Sequence, residues 1–359
     1  MTKTMKSNPI IYLDRNESQY GPAPECFDLL RRATKNEVSN YSRDYERGVK
    51  SVLSETLANE YGLAEADILL SYGSEDMLKQ IVHCYLVQGE TMMIPQHSWW
   101  YYKSVAKEVN GKVVEYPMHT DKKRFYYDLD EIISLVGSVK PKLFLFASPN
   151  NPTGNSLPMD KLKTLLDNCR DTMFIVDEAY FGFADIPGYF MPQLTLEHPR
   201  LAVLRTFSKL YGLAGVRIGY ACVGKDYQRL ITFSARYLGY NQLSERLALA
   251  ALHEVKYYKA LASTVASERE RYYRFFDTVE GCTAYRSEAN FILVKLPTGE
   301  SEPLKQHLTG AGIIIKFFSE KEFPGHARIT IGTPEQNSLL IGEMQKCLVD
   351  ERVSAPEQS

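Results

Sequence analysis

Short apolar runs alternate with amphipathic segments between about residue 68 and residue 250 of this 359-residue chain. The runs are ETMMIP (90–95), KVVEYP (112–117), KLFLFAS (142–148), MFIVDEA (173–179), AVLRTF (202–207) and RIGYACV (217–223). Between them, segments such as SEDMLKQIVHCYLV and DKLKTLLDNCR carry apolar residues at helical spacing. Because such alternation is typical of crossover units, the pattern predicts an α/β fold with a mostly parallel, buried sheet flanked by helices.

The pattern changes after about residue 250. A long helical stretch rich in Tyr, Lys and Arg leads to three strand candidates, NFILVKL (290–296), GIIIKFF (312–318) and HARITIG (326–332). These features predict a smaller α+β domain at 251–359, after a large domain at 41–250. The N-terminal arm, 1–40, is expected to form part of the smaller domain.

Composition and charge exclude several kinds of partner. With 42 basic and 44 acidic residues, the net charge of -2 gives no overall field for nucleic acid or an anionic membrane. The six cysteines have no CxxC spacing, which argues against a zinc site and a disulfide framework. The apolar stretch near the N-terminus is too short for a signal peptide or a membrane span. We therefore expect a cytoplasmic protein that binds no metal, nucleic acid or membrane.

Lys209 follows the strand candidate AVLRTF in the run TFSKLYGLAGVRIG. Open α/β sheets hold ligands at the carboxyl ends of their strands, so Lys209 is expected to project into a pocket. The hydroxyls of Thr206 and Ser208 and the guanidinium fork of Arg217 suit a phosphate. Pyridoxal phosphate combines such a phosphate with an aldehyde that condenses with lysine. A lone loop lysine is more often only solvated, so neighbouring clusters must support this hypothesis.

Two polar clusters follow other predicted strands. Gly73, Ser74 and Glu75 open a helix whose unpaired N–H groups can bind phosphate, although taken alone this cluster is better explained by Ser74 as an ordinary N-cap. Asn151, in FASPNNPTGNSLP, can donate a hydrogen bond to a phenolic oxygen, or can simply mark a turn.

Two further clusters and one arginine complete the candidate site. The Asp177 carboxylate, at the end of a buried strand, would be stabilised by a protonated pyridine nitrogen, although such an Asp often only caps a helix. Tyr180 can share the phenolic oxygen with Asn151. In IPQHSWWYYK, a ring can stack on the cofactor, Trp100 by preference and Trp99 otherwise. The Arg328 guanidinium suits a substrate carboxylate, and a surface salt bridge is its simpler interpretation.

In chain order these motifs resemble the fold type I pyridoxal phosphate aminotransferases, most closely the histidinol-phosphate aminotransferase group. The resemblance runs from LDRNESQYGP (13–22) through NYSRDYERG, YGSED, SPNNPTG, VDEAY and FSKLYGLAGVRIGY to SEANFILVK and ARITIGTPEQN. It implies an aspartate aminotransferase-like fold. It also implies ping-pong transfer of an amino group from a small-molecule donor, an amino acid or an amino-alcohol phosphate, to a 2-oxo acid.

The resemblance implies specific roles. Lys209 would carry the cofactor and act as base and acid, Asp177 would pair with the pyridine nitrogen, and Asn151 and Tyr180 would bind the phenolic oxygen. The phosphate would be held by Gly73, Ser74, Thr206, Ser208 and Arg217, with Glu75 contributing only position. Trp100 would stack on the ring, and Arg328 would bind the substrate carboxylate. Tyr41 would reach the phosphate of a neighbouring subunit and Tyr20 would cover the partner's pocket, which implies a homodimer with shared sites.

Two departures from the histidinol-phosphate pattern leave the donor open. A PYNVN-like segment reads LGYNQLS here, keeping Asn241 as a substrate-binding candidate but lacking the proline. Lys316 replaces an arginine near the substrate phosphate, which keeps the charge but loses the planar fork.

Two alternative functions use the same cofactor residues. A decarboxylase resembling the threonine-phosphate decarboxylases differs only in which bond of the substrate carbon is perpendicular to the ring. The sequence does not reveal that geometry, and transamination is the favoured interpretation. A non-catalytic cofactor-binding regulator is a remote alternative, because such proteins generally carry a fused DNA-binding segment and the resemblance here starts by residue 13.

Overall fold

The computed structural model describes residues 9–184, 191–319 and 323–350. Its strands are β1 (Ile11–Leu13), β2 (Ile68–Ser71), β3 (Thr91–Pro95), β4 (Lys112–Tyr116), β5 (His119–Asp121), β6 (Arg124–Tyr126), β7 (Leu143–Ala147), β8 (Met173–Asp177), β9 (Leu201–Thr206), β10 (Gly219–Val223), β11 (Thr283–Tyr285), β12 (Phe291–Lys295), β13 (Ile313–Phe317) and β14 (His326–Thr330).

Its α-helices are α1 (Pro24–Arg31), α2 (Lys35–Ser39), α3 (Val52–Tyr61), α4 (Ser74–Tyr85), α5 (Tyr101–Glu108), α6 (Leu129–Val139), α7 (Met159–Asn168), α8 (Leu194–Glu197), α9 (Gln228–Ser234), α10 (Gln242–His253), α11 (Val255–Phe276), α12 (Ser301–Gly310) and α13 (Pro334–Gln345). In the part of the chain that the structure describes, no helix combines the length and the apolar content that crossing a membrane requires.

Seven strands form the large sheet, in the order β2-β10-β9-β8-β7-β3-β4. β10 is antiparallel to β2 and β9, and the pairs formed by β9, β8, β7, β3 and β4 are parallel. The predicted mostly parallel sheet flanked by helices is therefore confirmed. One strand prediction is corrected at its start: β10 begins at Gly219, because Arg217 has a left-handed backbone with φ of 55°.

Both faces of the large sheet are buried, which explains why its strands are apolar throughout. All five residues of β7 are buried, and they alternate between two apolar clusters. Leu143, Leu145 and Ala147 pack in the cluster that contains α4 and α5 side chains. Phe144 and Phe146 pack in the cluster that contains α6 and α7 side chains. The helices thus fix the sheet from both sides and leave its carboxyl edge for ligands.

The second sheet has five strands in the order β1-β13-β14-β12-β11. β1 is parallel to β13, with Ile11 opposite Ile313, and the other neighbouring pairs are antiparallel. The N-terminal strand thereby brings residues 14 to 17, which follow it, beside strands from the far end of the chain. The predicted boundary at residue 250 falls inside α10, and the domain limits stay a prediction.

Candidate active site

A cavity of about 770 Å³ lies where the carboxyl ends of β7, β8 and β9 face the second sheet. Twelve of the sequence-predicted residues line it: Ser74, Glu75, Trp100, Asn151, Asp177, Tyr180, Thr206, Ser208, Lys209, Arg217, Lys316 and Arg328. Because β7, β8 and β9 are parallel neighbours, the loops that follow them meet at one edge. Topology thus brings together side chains that are up to 254 positions apart in the sequence, from Ser74 to Arg328.

Lys209 lies in the loop that follows β9, and its ammonium group points into this cavity. Its Nζ donates to the backbone oxygen of Arg15 over 3.1 Å and lies 5.7 Å from the ring centre of Tyr180. Burial, and then the positive charge of Arg328, lower the pKa of Lys209 to about 8. A substantial fraction of this amine is therefore neutral near pH 8, as a nucleophile or a general base requires.

Asp177 ends β8 and is buried beside the cavity. Its Oδ2 accepts a 2.8 Å hydrogen bond from the Tyr102 hydroxyl, and its Oδ1 accepts one of 3.0 Å from the backbone N–H of Ala179. Burial raises the pKa of Asp177, while these two bonds and the charge of Lys209 oppose the rise. A buried carboxylate of this kind is stabilised by a cationic ligand group.

The contact between Tyr102 and Asp177 was not predicted from the sequence, because the aromatic cluster was interpreted only as a source of rings that stack on the cofactor. Tyr102, Val105 and Ala106 are the buried residues of α5 and follow helical spacing. That spacing is the available signal, because a tyrosine on the inner face of a helix needs a hydrogen-bond partner for its hydroxyl. Trp99 packs against Tyr102, with ring centres 5.7 Å apart, whereas 67% of Trp100 is exposed. Both tryptophans line the cavity, and stacking by Trp100 stays a prediction.

Arg328 connects the second sheet to the large one. Its Nη1 donates to Asn151 Oδ1 and its Nη2 to the backbone oxygen of Asp14, both over 2.5 Å. Within the described part of the chain its buried Nε has no hydrogen-bond partner. Because Asn151 accepts through its oxygen, its amide nitrogen is the atom that can donate to a ligand. On β13, Lys316 is the cross-strand neighbour of Arg328, so two cations lie at this end of the cavity.

The predicted anion-binding residues form a cup at the start of α4. Thr206 Oγ1 and Ser208 Oγ lie 2.9 Å apart, and Arg217 Nη1 is 3.5 Å from Ser208 Oγ. Gly73 is the N-cap residue of α4, with φ of 94°, and a Cβ there would approach Arg217 Nη2 to 2.8 Å. Only glycine therefore combines this backbone conformation with the close approach of the arginine. The start of α4, the two hydroxyls and the Arg217 guanidinium can together hold a phosphate.

Glu75 lies beside this cup, in the first turn of α4. Its Oε2 is 3.8 Å from Arg217 Nη2, and both side chains are about half exposed. Glu75 can therefore orient the arginine but adds no donor to the cup, and its limited role stays a prediction.

Besides Gly73, which belongs to the cup, three predicted residues are not among those that line the cavity in this chain. Asn241 Oδ1 accepts from the backbone N–H of Ser244 over 3.0 Å and caps α10, so its side chain has a structural explanation here. The Tyr20 hydroxyl donates to the backbone oxygen of Gly332, and burial raises its pKa to about 12. Tyr41 is 69% exposed. Their predicted roles are not supported by contacts within one chain and stay predictions.

The described residues contain no candidate metal site, because no three His, Cys, Asp or Glu side chains among them are grouped to hold an ion. The cavity instead combines an amine, a buried carboxylate, a cup of hydroxyls and a guanidinium at a helix start, and the buried guanidinium of Arg328.

The chain is similar to known proteins in sequence and in fold. Residues 8–343 match the model of a family described as aminotransferase class I and II. The chain is 30% identical over 336 residues to histidinol-phosphate aminotransferase from Ruminiclostridium cellulolyticum, which covers 93% of this chain and 91% of that protein.

Two solved structures share the fold. Histidinol-phosphate aminotransferase from Sinorhizobium meliloti, in complex with pyridoxal-5'-phosphate, is similar with a TM-score of 0.83 at 23% identity, over 96% of this chain and 92% of that one. L-threonine-O-3-phosphate decarboxylase from Porphyromonas gingivalis has a TM-score of 0.79 at 22% identity, over 94% and 99% of the two chains.

Proposed function

The chain belongs to the aminotransferase class I and II family, and from this premise we propose that it is a pyridoxal phosphate-dependent transaminase. The observation that carries the proposal is the convergence of Lys209, Asp177 and Arg328 on one cavity with an anion cup. The proposed donor is an amino acid or an amino-alcohol phosphate resembling histidinol phosphate, and the acceptor is a 2-oxo acid.

The residues of the cavity fit this cofactor. The cup at Gly73, Ser208 and Arg217 suits its phosphate, and the buried carboxylate of Asp177 suits a pyridinium nitrogen. The amide nitrogen of Asn151 and the hydroxyl of Tyr180 can donate to its phenolic oxygen. This match of an anion site, a buried acid and a partly neutral lysine to a single ligand supports the proposal.

Pyridoxal phosphate, when bound, supplies an aldehyde that condenses with amines and a ring that accepts electrons from the substrate carbon. Lys209 would carry the cofactor at rest, and its amine would then take the proton from the substrate carbon and deliver it to the carbon of the cofactor's aldehyde. Arg328 would hold the substrate carboxylate through its guanidinium, whose buried Nε has no hydrogen-bond partner among the described residues. Because the same lysine serves donor and acceptor in turn, ping-pong kinetics follow.

A phosphorylated donor is supported by the cations at the outer end of the cavity. Lys316 lies on the strand beside Arg328, and both line the cavity, so a ligand with two anionic groups can contact both. The aromatic rings of Trp99, Phe318 and Phe323 line the same cavity and suit a flat, apolar group on the ligand.

A spectral screen tests the reaction and its donor together. We expect L-histidinol phosphate, mixed with the holoprotein, to convert the lysine-bound visible band to that of pyridoxamine phosphate, with release of the oxo product. Unphosphorylated L-histidinol is the matched control and should react roughly 10- to 100-fold more slowly, as the loss of one charge-assisted contact predicts. Stoichiometric carbon dioxide from O-phospho-L-threonine, without pyridoxamine phosphate, would contradict transamination and identify a decarboxylase.

We also propose a homodimer with shared active sites. Tyr41, Tyr45 and Tyr237 are 69%, 67% and 96% exposed. The segments that carry them are adjacent, because Gln242 donates to the backbone oxygen of Asn40 and a Cβ on Gly239 would approach Ser42 to 2.9 Å. Large exposed aromatic side chains grouped in this way are typical of an interface.

This patch lies close to the anion cup. Arg217 donates to the backbone oxygen of Tyr72, whose ring contacts that of Tyr240, 5.3 Å away. A partner copy seated there would bring its own Tyr41 near the phosphate, which explains why Tyr41 does not line the cavity of its own chain.

Tyr237→Asp should convert the dimer to monomers and lower the affinity for pyridoxal phosphate, because it puts a charge in the interface and removes the partner's tyrosine from the cup. Sedimentation velocity and cofactor titration measure the two effects. Tyr126→Asp, at a tyrosine that is 45% exposed on the β5–β6 hairpin, is the control and should stay dimeric. A wild-type protein that sediments as a monomer at micromolar concentration would remove the proposal.

The proposal includes a cytoplasmic location, which the absence of CxxC spacing among the six cysteines supports. It also includes a division into two domains, which the two separate sheets support.

A further inference from the structure

Three consecutive residues after β1 contact three different side chains of the site. The backbone oxygen of Asp14 accepts from Arg328, and that of Arg15 accepts from Lys209. The third contact is different, because Asn16 uses its side chain: its Nδ2 donates to the Tyr180 hydroxyl over 2.8 Å. Any residue supplies a backbone oxygen, so Asn16 is the position in this segment where the side chain matters.

Asn16 is held rigidly and only 1% of it is exposed. Its backbone N–H donates to Thr330 Oγ1 over 3.0 Å, and its backbone oxygen accepts from Asn290 Nδ2 over 3.1 Å. Its φ is 56°, a left-handed conformation that asparagine tolerates better than most residues. The segment is thereby fixed to β14 and to the residue that precedes β12.

Thr330 also fixes which way the Asn16 amide points. The Thr330 oxygen already accepts from Asn16 N, so its one hydrogen is directed to Asn16 Oδ1, 3.3 Å away. The amide oxygen therefore faces Thr330, and the amide nitrogen faces Tyr180.

This orientation determines what the Tyr180 hydroxyl can do. An amide nitrogen only donates, so the hydroxyl oxygen accepts from Asn16 and its hydrogen must point elsewhere. Phe291 packs edge-on against the tyrosine ring, with centres 5.0 Å apart, and Tyr180 lines the cavity. A hydroxyl that accepts one hydrogen bond also donates a stronger one.

We propose that Asn16 is a positioning residue for Tyr180, directing the hydroxyl hydrogen into the cavity toward the phenolic oxygen of pyridoxal phosphate and strengthening that bond. The inference rests on the proposed function, and it adds a residue that acts on the cofactor only through the tyrosine.

Removal of the Asn16 side chain should raise the pKa at which the visible absorbance of the bound cofactor changes. A strong donor to the phenolic oxygen stabilises its negative charge and weakens its hold on the proton of the lysine–cofactor linkage. Asn16→Gly removes the side chain without strain, because glycine accepts the left-handed backbone. The expected rise is about 0.4 to 1 pKa unit, the scale of one hydrogen bond, measured by spectrophotometric pH titration of the holoprotein.

Two comparisons separate this role from a merely structural one. Asn290→Ala removes a bond that holds the same segment but leaves Tyr180 untouched, and it should titrate like the wild type. In a Tyr180→Phe background, Asn16→Gly should cause no additional shift. The inference would be overturned if Asn16→Gly had the same pKa as the wild type. It would also be overturned if Asn16→Gly shifted the pKa equally in the wild-type and the Tyr180→Phe backgrounds.

A second variant decides the question if Asn16→Gly fails to fold. Asn16→Asp keeps the size of the side chain and tolerates the left-handed backbone, but its carboxylate offers only acceptors. The Tyr180 hydroxyl should then donate to this carboxylate and not into the cavity, so the pKa of the absorbance change should rise at least as far. An unchanged pKa in this variant would overturn the inference too. If the proposed function itself were wrong, the result would be different, because the wild-type protein would then show no visible absorbance band that depends on Lys209.

Discussion

Replacing Lys209 with alanine should reduce turnover by about 10⁴-fold or more, because one amine both carries the cofactor and moves the substrate proton. The variant should still bind pyridoxal phosphate through the anion cup, but without the visible band of the lysine-bound form. Steady-state kinetics with the donor from the spectral screen, together with absorbance spectra, measure both effects.

The matched control for this variant is Lys103→Ala. Lys103 also lines the cavity, but its Nζ is 2.8 Å from Glu115 Oε1. It should keep the visible band, since it is not the amine that reacts. A Lys209→Ala protein with wild-type turnover, or loss of the band in both variants, would contradict the mechanism.

The pH dependence of cofactor capture follows from the same lysine. Only a neutral amine attacks the aldehyde, and the pKa of Lys209 is lowered to about 8. The rate at which the cofactor-free protein captures pyridoxal phosphate should therefore rise roughly tenfold for each pH unit up to that pKa, and should level off at higher pH. An acceleration that continued to pH 10, as for an ordinary lysine, would contradict the environment described for this amine.

Asp177→Asn should have opposite effects on activity and stability. Removing one partner of a buried ion pair costs about 3 to 5 kcal/mol, so turnover should fall by about 10² to 10⁴-fold. Without cofactor, the wild-type carboxylate is buried, no cation among the residues that the structure describes is hydrogen-bonded to it, and its pKa is raised. Neutral asparagine removes this penalty, so the cofactor-free variant should melt roughly 1 to 3 °C higher.

The stability difference should depend on pH with a definite sign. Because the folded-state pKa of Asp177 is raised, its charge destabilises the fold at pH values above that pKa, and protonation removes the effect as the pH falls. The two melting temperatures should therefore converge in acid. Asp171→Asn, at a fully exposed carboxylate before the same strand, is the control and should leave activity and melting temperature unchanged. Equal turnover of wild type and Asp177→Asn would remove Asp177 from the mechanism.

Local chemistry was predictable where one motif carried it. The run that contains Lys209 places a lysine, two hydroxyls and an arginine directly after a strand, and the structure brings all four to one cavity. The helix at Ser74 was also predictable, because it combines helical periodicity with a start signal. These features depend on near neighbours in the chain, which share one loop or one helix face.

Contacts between distant segments were not predictable in the same way. Asn16 and Tyr180 are 164 positions apart, and Tyr102 and Asp177 are 75 apart, with no common motif. The antiparallel direction of β10 likewise depends on how the chain returns to the sheet.

The sequence by itself determined nine of the strands that the structure describes, the mostly parallel sheet and the residues with the chemistry of a lysine-bound cofactor, because periodicity and short motifs encode these locally. Only the tertiary structure decided that β1 lies beside β13 and that Asp14, Arg15 and Asn16 therefore contact Arg328, Lys209 and Tyr180. It also decided that Asn241 caps a helix. The physical reason is that hydrogen bonds and burial depend on distances in space, which the packing of two sheets sets and sequence spacing does not.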